Sequence, residues 1–204
     1  MANIIERYDK PFEYAAIVMN LIIAIQFLKL WYDPTFSDAN KIFSMATLMA
    51  FEFIMIHSGV FMAVMPKRIS LFLLVPFYGL FAFSFSKFIN NNAILITYGL
   101  VILNRMRFAF SNVSPFIQYR AIQTSFRAAT SYIVLIFICV FSNGFLGPLG
   151  LTQPFLKASG YFEQVSGSGL FVEKPHVAIS FGFFYYCTLA IIEIVLLKKN
   201  PLKV

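Results

Sequence analysis

The chain has 204 residues, of which 59% are hydrophobic and only 12% are charged. Soluble domains carry about 25% charged residues, so this composition excludes an ordinary soluble fold and indicates that lipid is part of the solvent. The formal charge of +7 does not indicate a nucleic-acid partner, because the basic residues are spread among short loops instead of forming one basic face or tail.

Six segments are long and apolar enough to cross a bilayer, which requires about 20 predominantly apolar residues. In chain order they cover about 11–31, 41–65, 69–88, 91–110, 114–141 and 175–197. Pro11 and Pro115 suit the first turns of their helices. We therefore predict an all-α polytopic membrane protein with six transmembrane helices, forming a single domain over residues 1–204.

The distribution of Lys and Arg predicts the orientation of these helices. With the N-terminus inside, the cytoplasmic stretches hold 11 of the 16 Lys and Arg residues and the other side holds five. The positive-inside rule favours this N-in, C-in arrangement over its inverse. We expect an integral protein of a plasma membrane of bacterial type, with the lipid bilayer as its first partner.

One long connection, about residues 142–174, falls outside in this orientation. It is rich in Gly and Pro but also holds Phe145, Phe155, Leu156 and Tyr161. A disordered linker would be more polar. We expect this outer loop to pack over the helix ends, to dip into the membrane interface or to dock on a partner.

Ionisable residues inside a membrane helix are costly, so each of them is a functional hypothesis. The second segment, in FEFIMIHSGVFM, carries Glu52 near its middle and His57 toward the cytoplasmic side. Five residues of helix separate them, which places the two side chains about 140° apart around the axis. Each would therefore need a partner from another helix.

Three further residues fall on the cytoplasmic side in this topology. Arg105 and Arg107 are near the end of the fourth segment, and Glu193 is about one turn before the end of the sixth. Together with His57, and with Glu52 deeper, they predict a candidate intramembrane polar site for a proton relay or an anion. The alternative is that the arginines snorkel to headgroups while Glu193 pairs locally with Lys198 or Lys199.

The start of the fifth segment, SPFIQYRAIQTSFRAAT, has a different character. Arg120 and Arg127 are seven residues apart and share one helix face, with Gln123 beside them. This pattern favours contacts with lipid headgroups at the inner surface.

No cofactor and no metal is predicted. The two cysteines form no CxxC motif, and the methionines of the second segment are distributed around the helix, as expected for apolar packing. His57 and His176 fall in opposite halves of the bilayer, so a bis-histidine haem within the chain is not expected. The sequence leaves open a haem that is shared with another subunit.

Three functions from different classes fit these features. The first is a small membrane subunit or accessory protein, non-catalytic on its own, within a complex with other membrane subunits or as a homo-oligomer. The second is a small proton-coupled transporter or channel that uses the Glu52–His57 pair. The third is a membrane enzyme acting on a lipid or a quinone, which ranks last because no complete catalytic constellation is visible.

Overall fold

A computed structural model describes residues 9–89, 99, 115–143, 147–165 and 168–199. Within these ranges all regular structure is helical, with no strands. Five stretches are long and apolar enough to cross a membrane: Glu13–Tyr32, Phe36–Ser58, Ser70–Lys87, Ile122–Phe141 and Pro175–Lys198. They coincide with five of the six predicted segments. The fourth, 91–110, lies outside the described residues except for Gly99, so the count of six and the N-in, C-in orientation stay predictions.

The long helices begin and end close to the predicted residues. They are α1 (Asp9–Tyr32), α2 (Ala39–Val64), α4 (Val75–Ile89), α5 (Pro115–Phe141) and α9 (Pro175–Lys199). Short elements connect them: a 3₁₀ turn (Phe36–Asp38), α3 (Lys67–Ile69), a π-helical turn (Ser70–Leu74), α6 (Gln153–Ala158), α7 (Tyr161–Gln164) and α8 (Leu170–Glu173).

Local chemistry sets several of these boundaries. Pro115 and Pro175 are the first residues of α5 and α9, where the missing N–H costs no intrahelical hydrogen bond. Pro66 separates α2 from α3. At the start of α6 the Thr152 hydroxyl accepts a hydrogen bond from the Phe155 amide at 3.4 Å, which caps the helix.

The chain divides into two compact units. The first consists of Met1–Ala15 and Phe51–Thr130, and the second of Ala16–Ala50 and Ser131–Val204. In the first unit, α4 buries one stripe at helical spacing, namely Tyr78, Ala82 and Ser86. The rings of Phe51 and Phe85 pack with centroids 5.2 Å apart.

The second unit is built around α9. Every residue from Pro175 to Gly182 is buried. α1 presents a matching stripe, Ile17, Asn20, Ala24, Phe27 and Trp31, all buried and spaced three to four residues apart, as one helix face requires. The Phe27 ring occupies the space that a Cβ at Gly182 would take, so the missing side chain permits close helix packing.

The long connection of the second unit is folded, together with residues 33–38. We call residues 33–38 and the described residues from 147 to 174 the cap. Leu151, Leu156 and Tyr161 are its buried core. The Tyr161 hydroxyl donates a hydrogen bond to the Val172 carbonyl at 3.0 Å, and burial raises the pKa of this phenol. Tyr161 thus ties two segments of the cap together.

Candidate functional site

The hydrogen bond between Asn20 and Glu193 joins α1 to α9 inside the second unit. The Asn20 amide nitrogen donates to Oε2 of Glu193 at 3.1 Å. Asn20 is only 5% exposed, and Glu193 is half-buried. Glu193 stands five residues before the end of its membrane-spanning stretch. A carboxyl and a buried amide thus meet on two helices, 173 residues apart in the chain.

Tyr132 forms a second polar contact between helices in the same unit. Its hydroxyl donates to the Met49 carbonyl at 2.6 Å, which joins α5 to α2. The ring packs edge-on against Phe181 and Tyr185 of α9, with centroids 4.8 and 5.4 Å away. One side chain of α5 thus contacts both α2 and α9, which fixes the positions of the three helices relative to one another.

Glu52 and His57 lie on α2 in the first unit, and both are half-buried. His57 Nδ1 is 2.7 Å from the Phe53 carbonyl oxygen. Because a carbonyl oxygen accepts, Nδ1 is the ring nitrogen that carries the proton, and Nε2 remains for a further contact. The ring also packs on Phe53, with centroids 4.1 Å apart. Both residues are within one continuous helix, so the predicted angle of about 140° between them holds.

The predicted cytoplasmic cluster is only partly within the described residues. Arg105 and Arg107 lie outside them. Glu193 is in the second unit, where its hydrogen bond is to Asn20, whereas Glu52 and His57 are in the first. A shared site of these five residues stays a prediction.

Arg120 and Arg127 are both within the continuous helix α5, so their seven-residue spacing places them on one side of it. Arg127 is half-buried. On the same helix the Gln123 amide donates to the Tyr119 hydroxyl at 3.0 Å. The headgroup contacts predicted for the two arginines stay a prediction.

Trp31, the only tryptophan of the chain, connects α1 to the cap. Its indole N–H donates to the Gly147 carbonyl at 3.0 Å, and its own carbonyl accepts from the Gly150 amide at 2.9 Å. A Cβ at Gly150 would meet the Pro34 ring and come within 2.8 Å of the Tyr32 carbonyl oxygen. Only glycine therefore permits this backbone contact.

A second junction attaches the end of α5 to the start of α9. Asn143, in a left-handed conformation with φ 55°, accepts from Lys174 Nζ through its side-chain oxygen at 3.1 Å. Its carbonyl oxygen is 3.1 Å from His176 Nε2. His176 is thus part of the junction between helix and loop.

Within the described ranges, no group of three or more His, Cys, Asp or Glu side chains is placed to hold a metal ion. Neither Cys139 nor Cys187 forms a disulfide. The side chains that the described contacts bring together carry amide, carboxyl, hydroxyl, indole, ammonium and imidazole groups.

Sequence reasoning missed Asn20 and the role of Trp31. The signal for Asn20 was present, since it is a lone amide within the apolar run AAIVMNLIIAI, and a buried polar group in a membrane helix requires a partner. Trp31 is the last residue of the first predicted segment, and its burial, with 1% of its surface exposed, does not follow from that position. No known protein family, curated protein or solved structure matches the chain.

Proposed function

We propose that this chain is a small, non-catalytic subunit or accessory protein of a larger membrane complex, and that the cap contacts another integral membrane protein. The main support is the stacked pair of Phe36 and Phe155, whose ring centroids are 5.5 Å apart with planes inclined by 14°. Phe36 is 65% exposed. Exposed aromatic residues on an ordered frame are the type that anchors protein interfaces.

The frame that presents this ring pair is ordered by contacts within the chain. Trp31 holds the 147–150 segment through two hydrogen bonds, and Tyr161 closes the cap on Val172. A partner that binds a preordered surface does not have to supply the free energy of ordering it. The cap is thus suited to a specific contact of modest area.

The charge of the cap favours a protein partner over a lipid surface. Its sequence holds four acidic residues, Asp33, Asp38, Glu163 and Glu173, against two basic ones, Lys157 and Lys174, although the whole chain carries +7. Anionic headgroups attract clusters of basic residues. An acidic surface with exposed aromatic rings fits a protein neighbour better.

Site-specific photo-crosslinking in native membranes tests this proposal. The photoreactive amino acid p-benzoylphenylalanine is placed at Phe36, and, as a matched control, at Phe72. Phe72 is 76% exposed and lies inside the membrane-spanning stretch Ser70–Lys87, whereas Phe36 is the terminal residue of the stretch Phe36–Ser58, at its junction with the cap. We expect a discrete protein adduct from position 36, and lipid adducts from position 72. The adduct from position 36 should weaken in a Phe155→Ser background, because the stacked partner ring is then lost.

Three outcomes would overturn the proposal. Lipid adducts alone at position 36 would make the cap an interfacial anchor. A single adduct of twice the mass of the chain would identify a homo-oligomer instead of a complex with another protein. Transport or turnover by the purified chain, reconstituted alone, would place the activity in this chain itself.

A further inference from the structure

Arg127 is a cationic side chain inside the apolar part of α5. It stands five residues after Ile122, within the spanning stretch Ile122–Phe141, and it is half-buried. Within the described ranges Arg127 forms no hydrogen bond and no ion pair, and the sequence holds no acidic residue between Glu52 and Glu163. A guanidinium in an apolar environment is costly unless it meets an anion or reaches the membrane surface.

The side of α5 that carries Arg127 continues as a lipid-facing surface. Val134 and Ile138 follow Arg127 by seven and eleven residues on one continuous helix, so they lie on the same side of it, and both are exposed. The buried Tyr132 comes five residues after Arg127, which places it about 140° away around the axis. Exposed apolar side chains in a spanning stretch contact acyl chains, so the neighbour of Arg127 on this side is lipid.

The depth of Arg127 matches the reach of its side chain. The 20 residues of Ile122–Phe141 extend over about 30 Å, the thickness of the hydrocarbon core. The Cα of Arg127 is therefore about 7.5 Å inside the nearer boundary. Helical side chains tilt toward the N-terminus of their helix, which on α5 is the direction of that boundary. A long arginine side chain covers such a depth by snorkelling, and its guanidinium then reaches the phosphate level.

Two polar residues precede Arg127 at helical spacing, Gln123 by four positions and Tyr119 by eight. The Gln123 amide nitrogen donates to the Tyr119 hydroxyl oxygen at 3.0 Å. The proton of that hydroxyl remains able to donate to an acceptor outside the helix. Tyr119 is exposed and stands three residues before the spanning stretch. Gln123 thus positions a second donor at the membrane surface.

We infer that Arg127 binds the phosphate of one anionic phospholipid at the start of the spanning stretch of α5, with Tyr119 as a second donor and Gln123 as its positioning residue. A guanidinium presents two parallel N–H groups to phosphate oxygens, which gives short, charge-assisted hydrogen bonds. The inference goes beyond the proposed complex and does not depend on the cap.

Native mass spectrometry of the purified chain with added lipid tests this inference. The probes are phosphatidylglycerol and phosphatidylcholine with identical acyl chains. We expect the wild type to retain one phosphatidylglycerol per chain in preference to phosphatidylcholine. Arg127→Leu should weaken this retention by about tenfold or more. Arg127→Lys should have an intermediate effect, because an ammonium keeps the charge but not the paired N–H groups.

The matched control is Arg68→Leu, which removes the same charge. Arg68 is exposed and lies two residues before the spanning stretch Ser70–Lys87. In concentrated ammonium acetate the general attraction of surface charges is screened, so Arg68→Leu should retain phosphatidylglycerol as the wild type does. Added phosphatidylglycerol should also raise the melting temperature of the wild type and of Arg68→Leu, but not that of Arg127→Leu. Circular dichroism checks that each variant keeps its helices.

Three results would overturn the inference. The wild type could retain both lipids equally, or Arg127→Leu could retain phosphatidylglycerol as the wild type does. Alternatively, p-benzoylphenylalanine at Thr130, an exposed position three residues after Arg127, could give only protein adducts in native membranes. A partner protein would then cover this side of α5. None of these results would alter the outcome of crosslinking from position 36, which depends on the cap alone.

Discussion

Polar side chains in the second unit reach across to other elements. Its hydrogen bonds connect Asn20 with Glu193, Tyr132 with the Met49 carbonyl and Trp31 with the Gly147 carbonyl. Each of these bonds fixes the rotation and depth of one segment against another, since moving either segment breaks the bond.

Other described hydrogen bonds stay within one helix. In the first unit, His57 is bonded to the carbonyl of Phe53 and Ser84 donates to the carbonyl of Leu80. In the second unit, Thr188 donates to the carbonyl of Phe184 in the same way. Such a bond satisfies a polar group in an apolar environment without specifying a neighbour.

The spanning stretches also differ in the share of their apolar surface that is buried. In Pro175–Lys198 44% of the apolar window is buried, against 22% in Ser70–Lys87 and 11% in Ile122–Phe141. A side chain facing lipid loses little when it is shortened, because both protein and lipid are apolar. Stability should therefore respond to substitutions very unequally along the chain.

The largest contrast is expected from shortening one phenylalanine in each unit. Phe27, with no exposed surface, stacks on Tyr186 with centroids 5.8 Å apart, so Phe27→Ala should destabilise the protein by about 3–5 kcal/mol. Phe72 is 76% exposed, and Phe72→Ala should change stability by less than about 0.5 kcal/mol. Thermal unfolding in detergent, followed by circular dichroism, measures both.

A double substitution checks that the loss comes from the contact between α1 and α9. Gly182→Ala alone places a methyl group into the Phe27 ring and should cost about 1–3 kcal/mol. Combined with Phe27→Ala, the new methyl occupies vacated space, so the double variant should be more stable than the sum of the two losses predicts. Strict additivity would contradict the described packing.

A smaller contrast is expected between two hydroxyl groups. Tyr132→Phe removes the bond to Met49 on another helix and should cost about 1 kcal/mol. Ser84→Ala removes a bond to the carbonyl of Leu80 on its own helix and should be nearly neutral, since this type of bond slightly disfavours the helix. Chemical unfolding in mixed micelles compares the two variants with wild type. Equal losses would contradict the distinction between a bond that joins two helices and a bond within one helix.

Hydropathy and proline positions were sufficient to predict five helices, because the bilayer sets the length and the apolar character of a spanning segment. α2, for example, was predicted at 41–65 and runs from Ala39 to Val64. The same pattern does not fix how a helix is rotated. The hydrogen bond that Asn20 on α1 donates to Glu193 could therefore not be predicted, and the pairing of Glu193 with Arg105, Arg107, Lys198 or Lys199 stays a prediction.

The cap shows a second limit of sequence reasoning. Its aromatic content indicated that the loop would be packed, but not that Trp31 would be buried beneath it. That position depends on the close approach of Gly150 to Tyr32 and Pro34, a contact between residues more than 100 positions apart. Periodicity along one helix carries no information about such a contact.

A small loss of stability at neutral pH is expected from Tyr161→Phe in the cap, and the sign of this effect should change in alkali. Tyr161→Phe removes the bond to the Val172 carbonyl and should cost up to about 1 kcal/mol.

Burial raises the pKa of the Tyr161 phenol above its ordinary value of about 10. Below pH 10 neither state of the wild type loses this proton. Above about pH 10 the unfolded chain releases it while the folded chain keeps it, so wild-type stability decreases by up to about 1.4 kcal/mol per pH unit until the folded phenol also ionises. The stability of Tyr161→Phe lacks this dependence on pH. The variant should therefore become more stable than the wild type within about one pH unit above pH 10. Unfolding followed by Trp31 fluorescence, measured as the difference between the two proteins at each pH, cancels the other tyrosines and the lysines. Parallel pH profiles would contradict the burial of Tyr161.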